Sequence, residues 1–295
     1  MLVTIGQLLL SGVLTGGIYA LMAMGLTLIF GVLKVVNFAH GEFLMLAMYG
    51  AWALHAWRGW SPYLAMVVVI PALFGFGLLV HRVVVRPAID KPHLVVVFAT
   101  MGLSILLQNL ALFTMTADLR DIPPPFAGAS LALGPLLMRK ELLLGFAISV
   151  AATAVMLVLV RRTYFGKAVR ATAQDREAAM LMGINVPRIF ALTFATGSAL
   201  VGLAACALLP LYSTFPSVGL NFVLIAFVIV VLGGMGSMEG ALLGGVLIGL
   251  VQAFSGYFVA PAFGQMFYFL IFLAVLIVRP AGLLGQRGAA MVGIN

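Results

Sequence analysis

RRTYFGKAVRATAQDREAAMLMGINVPR, Arg161–Arg188, is the most polar long stretch of the chain. It holds six of the 16 Lys and Arg residues and two of the eight acids, Asp175 and Glu177. Apolar runs of membrane-spanning length flank it on both sides. Ala168–Met182 has few helix breakers, and Thr172 or Asp175 can cap a helix start there. Gly183 stands where a C-terminal glycine belongs, and Asn185 and Pro187 stop the helix before the next apolar run. Ala178, Ala179, Leu181 and Met182 give this helix an apolar side; Arg170, Arg176 and Glu177 give it a charged one. Such a helix either lies in a membrane interface or fits a groove on a partner protein, and the residues alone leave both open.

Working outward, charge is scarce. Charged residues make up 8% of the 295 and hydrophobic ones 64%, whereas a soluble domain carries about 25% charged residues. The apolar runs are unbroken, which excludes a β-barrel, whose strands alternate over about ten residues. The expected fold is all-α and polytopic, one membrane domain over residues 1–295. Five good spans are Leu8–Phe30, Pro62–Val80, Leu94–Thr116, Leu142–Val160 and Ile189–Pro210. Four shorter or glycine-interrupted ones are Phe43–Trp57, Phe222–Met235, Ala241–Val259 and Gln265–Val278. The count is therefore eight or nine, with some helices discontinuous.

The net charge of +8 does not signal nucleic acid, because the basic residues sit in loops. By the positive-inside bias, Arg161–Arg188, His81–His93 and the tail with Arg279 and Arg287 face the cytoplasm. The loop Ala117–Glu141 is charge-balanced, contains Pro123-Pro124-Pro125 and suits the outside, as does the N-terminus. No cleaved signal peptide is expected, the first charged side chain being Lys34. Cys206 is the only cysteine, so no intrachain disulfide forms. A weak internal echo relates Val84–Ala88 to Ile277–Ala281.

Two polar interruptions attract attention. In Lys34-Val-Val-Asn37-Phe-Ala-His40-Gly41-Glu42, a lipid-facing Glu42 would cost about 2.5–3.5 kcal/mol at a helix centre. It must face protein, water or the interface. Asn37, His40 and Gly41 either unwind the backbone along a pathway or form a polar turn with Glu42 at a helix N-terminus. In Gly233–Gly240, four glycines disfavour a regular helix and imply a break, with Glu239 beside it. Gly240, Gly244, Gly245 and Gly249, like Gly12, Gly16 and Gly17, suit close helix packing. Gln108 and Asn109 inside one span either bond to other helices or touch a solute. No phosphate-binding loop, metal-ligand set or nucleophile–base pair is present. No catalytic residue, cofactor or metal is expected.

Glu177-Ala178-Ala179 followed by Gly183 resembles the EAA-and-glycine loop of ABC importer permeases. The run Gly166–Asn185 is similar to the version in high-affinity branched-chain amino acid permeases of the H type. Gly16–Leu21, Gly25–Gly31, Asn37–Glu42 and Gly233–Ser237 carry the same likeness over nearly the full chain. The resemblance implies an all-helical ABC importer permease of the bacterial inner membrane, paired with a second, M-type permease. It implies two ATP-binding subunits on the cytoplasmic face and a periplasmic substrate-binding protein. Asp175, Arg176, Glu177, Ala178, Ala179 and Gly183 would couple to the ATPase. The resemblance also favours Asn37, His40 and Glu42 near the translocation path, for which Gly41, Gln108, Asn109 and Glu239 are further candidates from the residues alone. The substrate would be a branched-chain or similarly apolar amino acid. Urea or short amides are the alternative, and an ion-coupled secondary transporter using Glu42, His40 and Glu239 is a further one.

Overall fold

The computed structural model describes residues 1–124, 126, 129–260, 263–279 and 281–285. Pro125, Pro280 and Arg287 lie outside the described residues. All nine expected apolar segments are helices. They are α1 (Leu2–Leu33), α2 (His40–Arg58), α3 (Pro62–Val80, prolonged through a π-turn into α4, Arg86–Ala88), α5 (His93–Met115), α6 (Lys140–Arg162), α9 (Val186–Leu208), α10 (Val218–Gly233), α11 (Met238–Phe258) and α12 (Gly264–Val278). The polar loop supplies α7 (Tyr164–Gln174) and α8 (Arg176–Leu181). Among the described residues, six helices are long and apolar enough to cross a membrane: α1, α3 with its continuation, α5, α6, α9 and α11. α10 and α12 are apolar but shorter, and α2 carries His40, Glu42, His55 and Arg58.

α1 is the axis of the bundle. Gly16–Ile29 are all buried, which accounts for a segment that is apolar around its whole circumference. Its closest neighbour is α11, and small residues set the approach. A Cβ on Gly16 would stand 2.6 Å from the Gly245 carbonyl oxygen, and one on Gly249 would stand 2.3 Å from that of Gly12. Gly240 and Gly244 face α10 instead, against Gly233 and Ile229. The expected break falls between α10 and α11. There Gly234 and Gly236 take φ of 102° and 89°, and the Ser237 hydroxyl caps α11 by accepting from Gly240 N–H at 3.0 Å.

Three loop expectations change. His81–His93 is not wholly loop, because the helix continues to Ala88 through the π-turn His81–Val85. Pro87 lacks an N–H and crowds the carbonyl four residues back, and the wider π-turn relieves that conflict. Ala117–Glu141 contains a hairpin, β1 (Ser130–Leu133) and β2 (Leu136–Arg139), paired antiparallel with Leu133 opposite Leu136. Gly134 at φ 61°, followed by Pro135, supplies the turn. Finally, Ala168–Met182 is two helices. Asp175 takes φ −151°, and its carboxylate accepts from Glu177 and Ala178 N–H at 2.9 and 3.0 Å. Asp175 thus caps α8 as expected. Thr172 caps nothing and is buried within α7, which Thr163 caps.

The ends of the bundle differ in character. At one, Arg176 of α8 pairs with Asp90 of the loop after α4 at 2.9 Å. Arg161 pairs with Glu239, and Leu283 and Leu284 donate to the carbonyls of Leu232 and Gly233 at 2.8 and 3.0 Å. The three basic regions thus share one end. At the other, the Gln7 amide brackets Leu137 of the hairpin, donating to its carbonyl at 2.6 Å and accepting from its N–H at 3.0 Å. The N-terminus and the Ala117–Glu141 loop share that end.

Candidate functional site

Two groups of residues stand out. The first is the exposed face of α7 and α8. α7 turns Gly166, Ala168, Val169 and Thr172 inward and Lys167, Arg170 and Gln174 outward. α8 buries only Ala179. Gly183, at φ 81°, closes it in a Schellman arrangement: Gly183 N–H donates to Met180 and Ile184 N–H to Ala179, at 3.0 and 3.1 Å. Asn185 then caps α9 by accepting from Arg188 N–H at 3.1 Å. The result holds Leu181 and Met182 out at 89% and 82% exposure, with Met180 beside them. Arg176 lies over the Phe190 ring at 5.4 Å, which ties the base of α8 to α9. Of the apolar side read from the sequence, Ala178, Leu181 and Met182 therefore point away from the bundle and Ala179 points into it.

The second group is buried. The His40 ring nitrogen Nε2 lies 3.1 Å from the Met22 carbonyl, and a Cβ on Gly25 would stand 3.3 Å from the same ring. Met22 is eleven residues before the end of α1, about 16 Å along its axis at 1.5 Å per residue. Lys34 takes the left-handed conformation, φ 57°, and the chain from there to Ala39 climbs back along α1. Six extended residues span about 20 Å, enough for the return. α2 therefore begins well inside the bundle. Thr100 of α5 steadies the climb by accepting from Phe38 N–H at 3.3 Å and donating to the Val36 carbonyl at 3.4 Å.

Glu42, 1% exposed, accepts from the Ser104 hydroxyl at 3.1 Å. Its other oxygen abuts Gly219 of α10 and has no protein hydrogen bond. Gly41 meets Gly219 backbone to backbone, and a Cβ there would stand 2.1 Å from the Gly219 carbonyl. Asn37 Oδ1 accepts from Ala39 N–H at 3.1 Å; its Nδ2 and His40 Nδ1 are buried without partners. Asn37, His40, Gly41 and Glu42 are thus one knot where α1, α2, α5 and α10 meet.

The remaining sequence candidates lie elsewhere. Gln108 is half-buried. Asn109 is exposed and donates to Ile105 of its own helix at 2.8 Å. Ser104, one turn before Gln108 and less conspicuous in sequence, is the residue of α5 that reaches Glu42. Glu239 is half-exposed in its pair with Arg161. The two border a basic-end cavity of about 640 Å³ with Lys34 and Arg170. Among the described residues no group of three His, Cys, Asp or Glu could hold a metal.

Apolar helices of spanning length around a buried polar knot define a polytopic helical membrane protein. The family described as branched-chain amino acid transport system, permease component, matches residues 8–276, and the chain belongs to it. The high-affinity branched-chain amino acid transport system permease protein LivH of Escherichia coli K12 is 30% identical, covering 95% of both chains. The permease protein BraD of Pseudomonas aeruginosa is 32% identical with the same coverage. A probable LivH of Methanocaldococcus jannaschii is 28% identical over 95% of this chain and 92% of its own. A solved structure titled PsaBC from Streptococcus pneumoniae in complex with Fab shares the fold, with a TM-score of 0.50, 14% identity and coverage of 93% and 92%. The chain is a multi-pass membrane protein and one component of a transport system, with no catalytic role of its own implied by the family.

Proposed function

We propose that the chain is a permease subunit of an ATP-driven importer carrying branched-chain or similarly apolar amino acids across the bacterial inner membrane. The observation that carries this reading is the projection of Met180, Leu181 and Met182 from a rigidly capped turn. Three large apolar side chains at a polar loop are an unfilled contact. An ATP-binding subunit on the cytoplasmic side fits them, with the basic end of the bundle facing the cytosol. A second permease completes the pathway, two ATP-binding subunits drive it and a periplasmic binding protein delivers solute. Asp175–Gly183 is the coupling segment. Movement of α8 passes to α3 and α4 through Arg176–Asp90 and to α9 through its base. The Asn37–Glu42 knot lies where α2 and α10 would shift against α5.

Reconstitution tests this reading. Vesicles holding the complete importer should take up radiolabelled L-leucine only with ATP and binding protein present. Uptake by the chain alone under a proton gradient would refute it, and uptake of urea without leucine would replace the substrate class.

A further inference from the structure

A second cavity, of about 480 Å³, opens at the hairpin end. Its mouth is built by two loops joined backbone to backbone: Arg120 and Thr214 exchange N–H···O bonds of 2.9 Å in both directions. Leu119 and Ser213, the residues beside that bridge, line the opening. The apolar wall is Phe215, Phe222 and Ile225. The polar wall is Tyr19, Tyr212, Gln252 and Tyr268, from α1, the loop after α9, α11 and α12. None of the described lining residues carries a charge.

Two features make this a built site. The Tyr19 and Tyr212 hydroxyls share a 2.7 Å hydrogen bond and so stand at fixed positions. The Tyr268 hydroxyl, on a side chain only 2% exposed, and Gln252 Oε1 are buried without a protein partner. An orphaned buried polar group is costly unless something satisfies it. The first turn of α10 also separates this cavity from the buried knot: Phe222 faces the one, and Gly219 touches Glu42 of the other.

Resting on the proposed function, we propose that this cavity is the solute site of the chain for a net-neutral, zwitterionic amino acid with an aliphatic side chain. Hydroxyls and amides both donate and accept, so they match an ammonium and a carboxylate together. A solute with net charge would lose its hydration against a wall that offers no counter-charge. The aromatic wall takes the aliphatic side chain, and a cavity in this size range encloses a solute larger than urea.

The test uses vesicles containing the complete importer, with Asn221→Cys placed on the cavity lining; native Cys206 is buried and silent. Saturating L-leucine should slow labelling of Asn221→Cys by N-ethylmaleimide by about tenfold. L-lysine, L-glutamate and urea at the same concentration should leave the rate unchanged. Equal slowing by all four, no slowing by leucine, or no labelling at all overturns the site. Tyr268→Phe should insert at wild-type level with unchanged thermal stability, yet lose most of the leucine protection. Protection intact in that variant also overturns the site. Leucine uptake by the unsubstituted importer in the same vesicles tests the proposed function separately.

Discussion

Arg176 and Asp90, 86 residues apart, meet in a 2.9 Å ion pair, and this pair joins α8 to the loop that follows α4. Both side chains are well exposed, so the pair contributes about 0–1 kcal/mol to stability. Its consequence is geometric: the pair ties α8 to the end of α4, as the Phe190 ring ties it to α9.

Arg176→Ala should therefore leave the melting temperature within about 1–2 °C of wild type, as expected for so small an energy in a chain of this size. ATP-dependent uptake should fall severalfold. Exchanging the charges, Arg176→Asp with Asp90→Arg, should recover much of the loss. Uptake unaffected by Arg176→Ala would remove the pair from the coupling route.

The projecting apolar turn makes a separate prediction. Leu181→Ser and Met182→Ser replace side chains that touch little of the bundle and should not reduce the amount of inserted chain. Copurification of the ATP-binding subunits should drop sharply. Retention of those subunits at wild-type ratio would show that α8 docks elsewhere.

Gly183 separates conformation from crowding. An added Cβ there meets nothing within 4 Å, but φ is 81°. Gly183→Ala should cost about 1 kcal/mol through the left-handed backbone alone. Gly183→Pro cannot adopt that angle, so it should uncouple ATP hydrolysis from uptake while the chain still inserts. Measuring ATPase rate and uptake together distinguishes the two variants.

Glu42→Ala removes an acceptor buried against Ser104 and Gly219. Inserted protein should fall modestly and leucine uptake by about tenfold or more, because the knot joins helices that must move. Ser104→Ala, which strands one carboxylate oxygen, should cost about 1–3 kcal/mol of stability. Wild-type uptake kinetics in Glu42→Ala would restrict Glu42 to packing.

Sidedness can be read directly. Leu181→Cys should react with a membrane-impermeant maleimide only from the cytosolic side, and Leu137→Cys only from outside. The reverse pattern would invert the proposed arrangement.

The extent to which the chain could be read in advance depended on range. Helix positions were legible, since each apolar run answers to its own composition, and so were Asp175 and Gly183 as the caps of α8, because capping is a matter of neighbouring backbone groups. The hairpin at 130–139 was hidden in a segment too short for a clear alternation. Gln108 and Asn109 drew attention by polarity, yet Ser104 makes the contact with Glu42, since which face of α5 turns inward depends on its neighbours. Glu239 looked like a companion of Glu42 and instead pairs with Arg161.

The sequence by itself determined a helical membrane protein with a capped, amphipathic turn between two spans, because hydrophobic burial and local capping are decided within a few residues of chain. Only the tertiary structure decided that Lys34–Ala39 returns into the bundle, that Gly41 meets Gly219, and that Tyr19, Tyr212 and Tyr268 line one space. Those relationships join residues tens to hundreds of positions apart, and they exist only once the glycine contacts between α1 and α11 and between α2 and α10 have set how closely the helices pack.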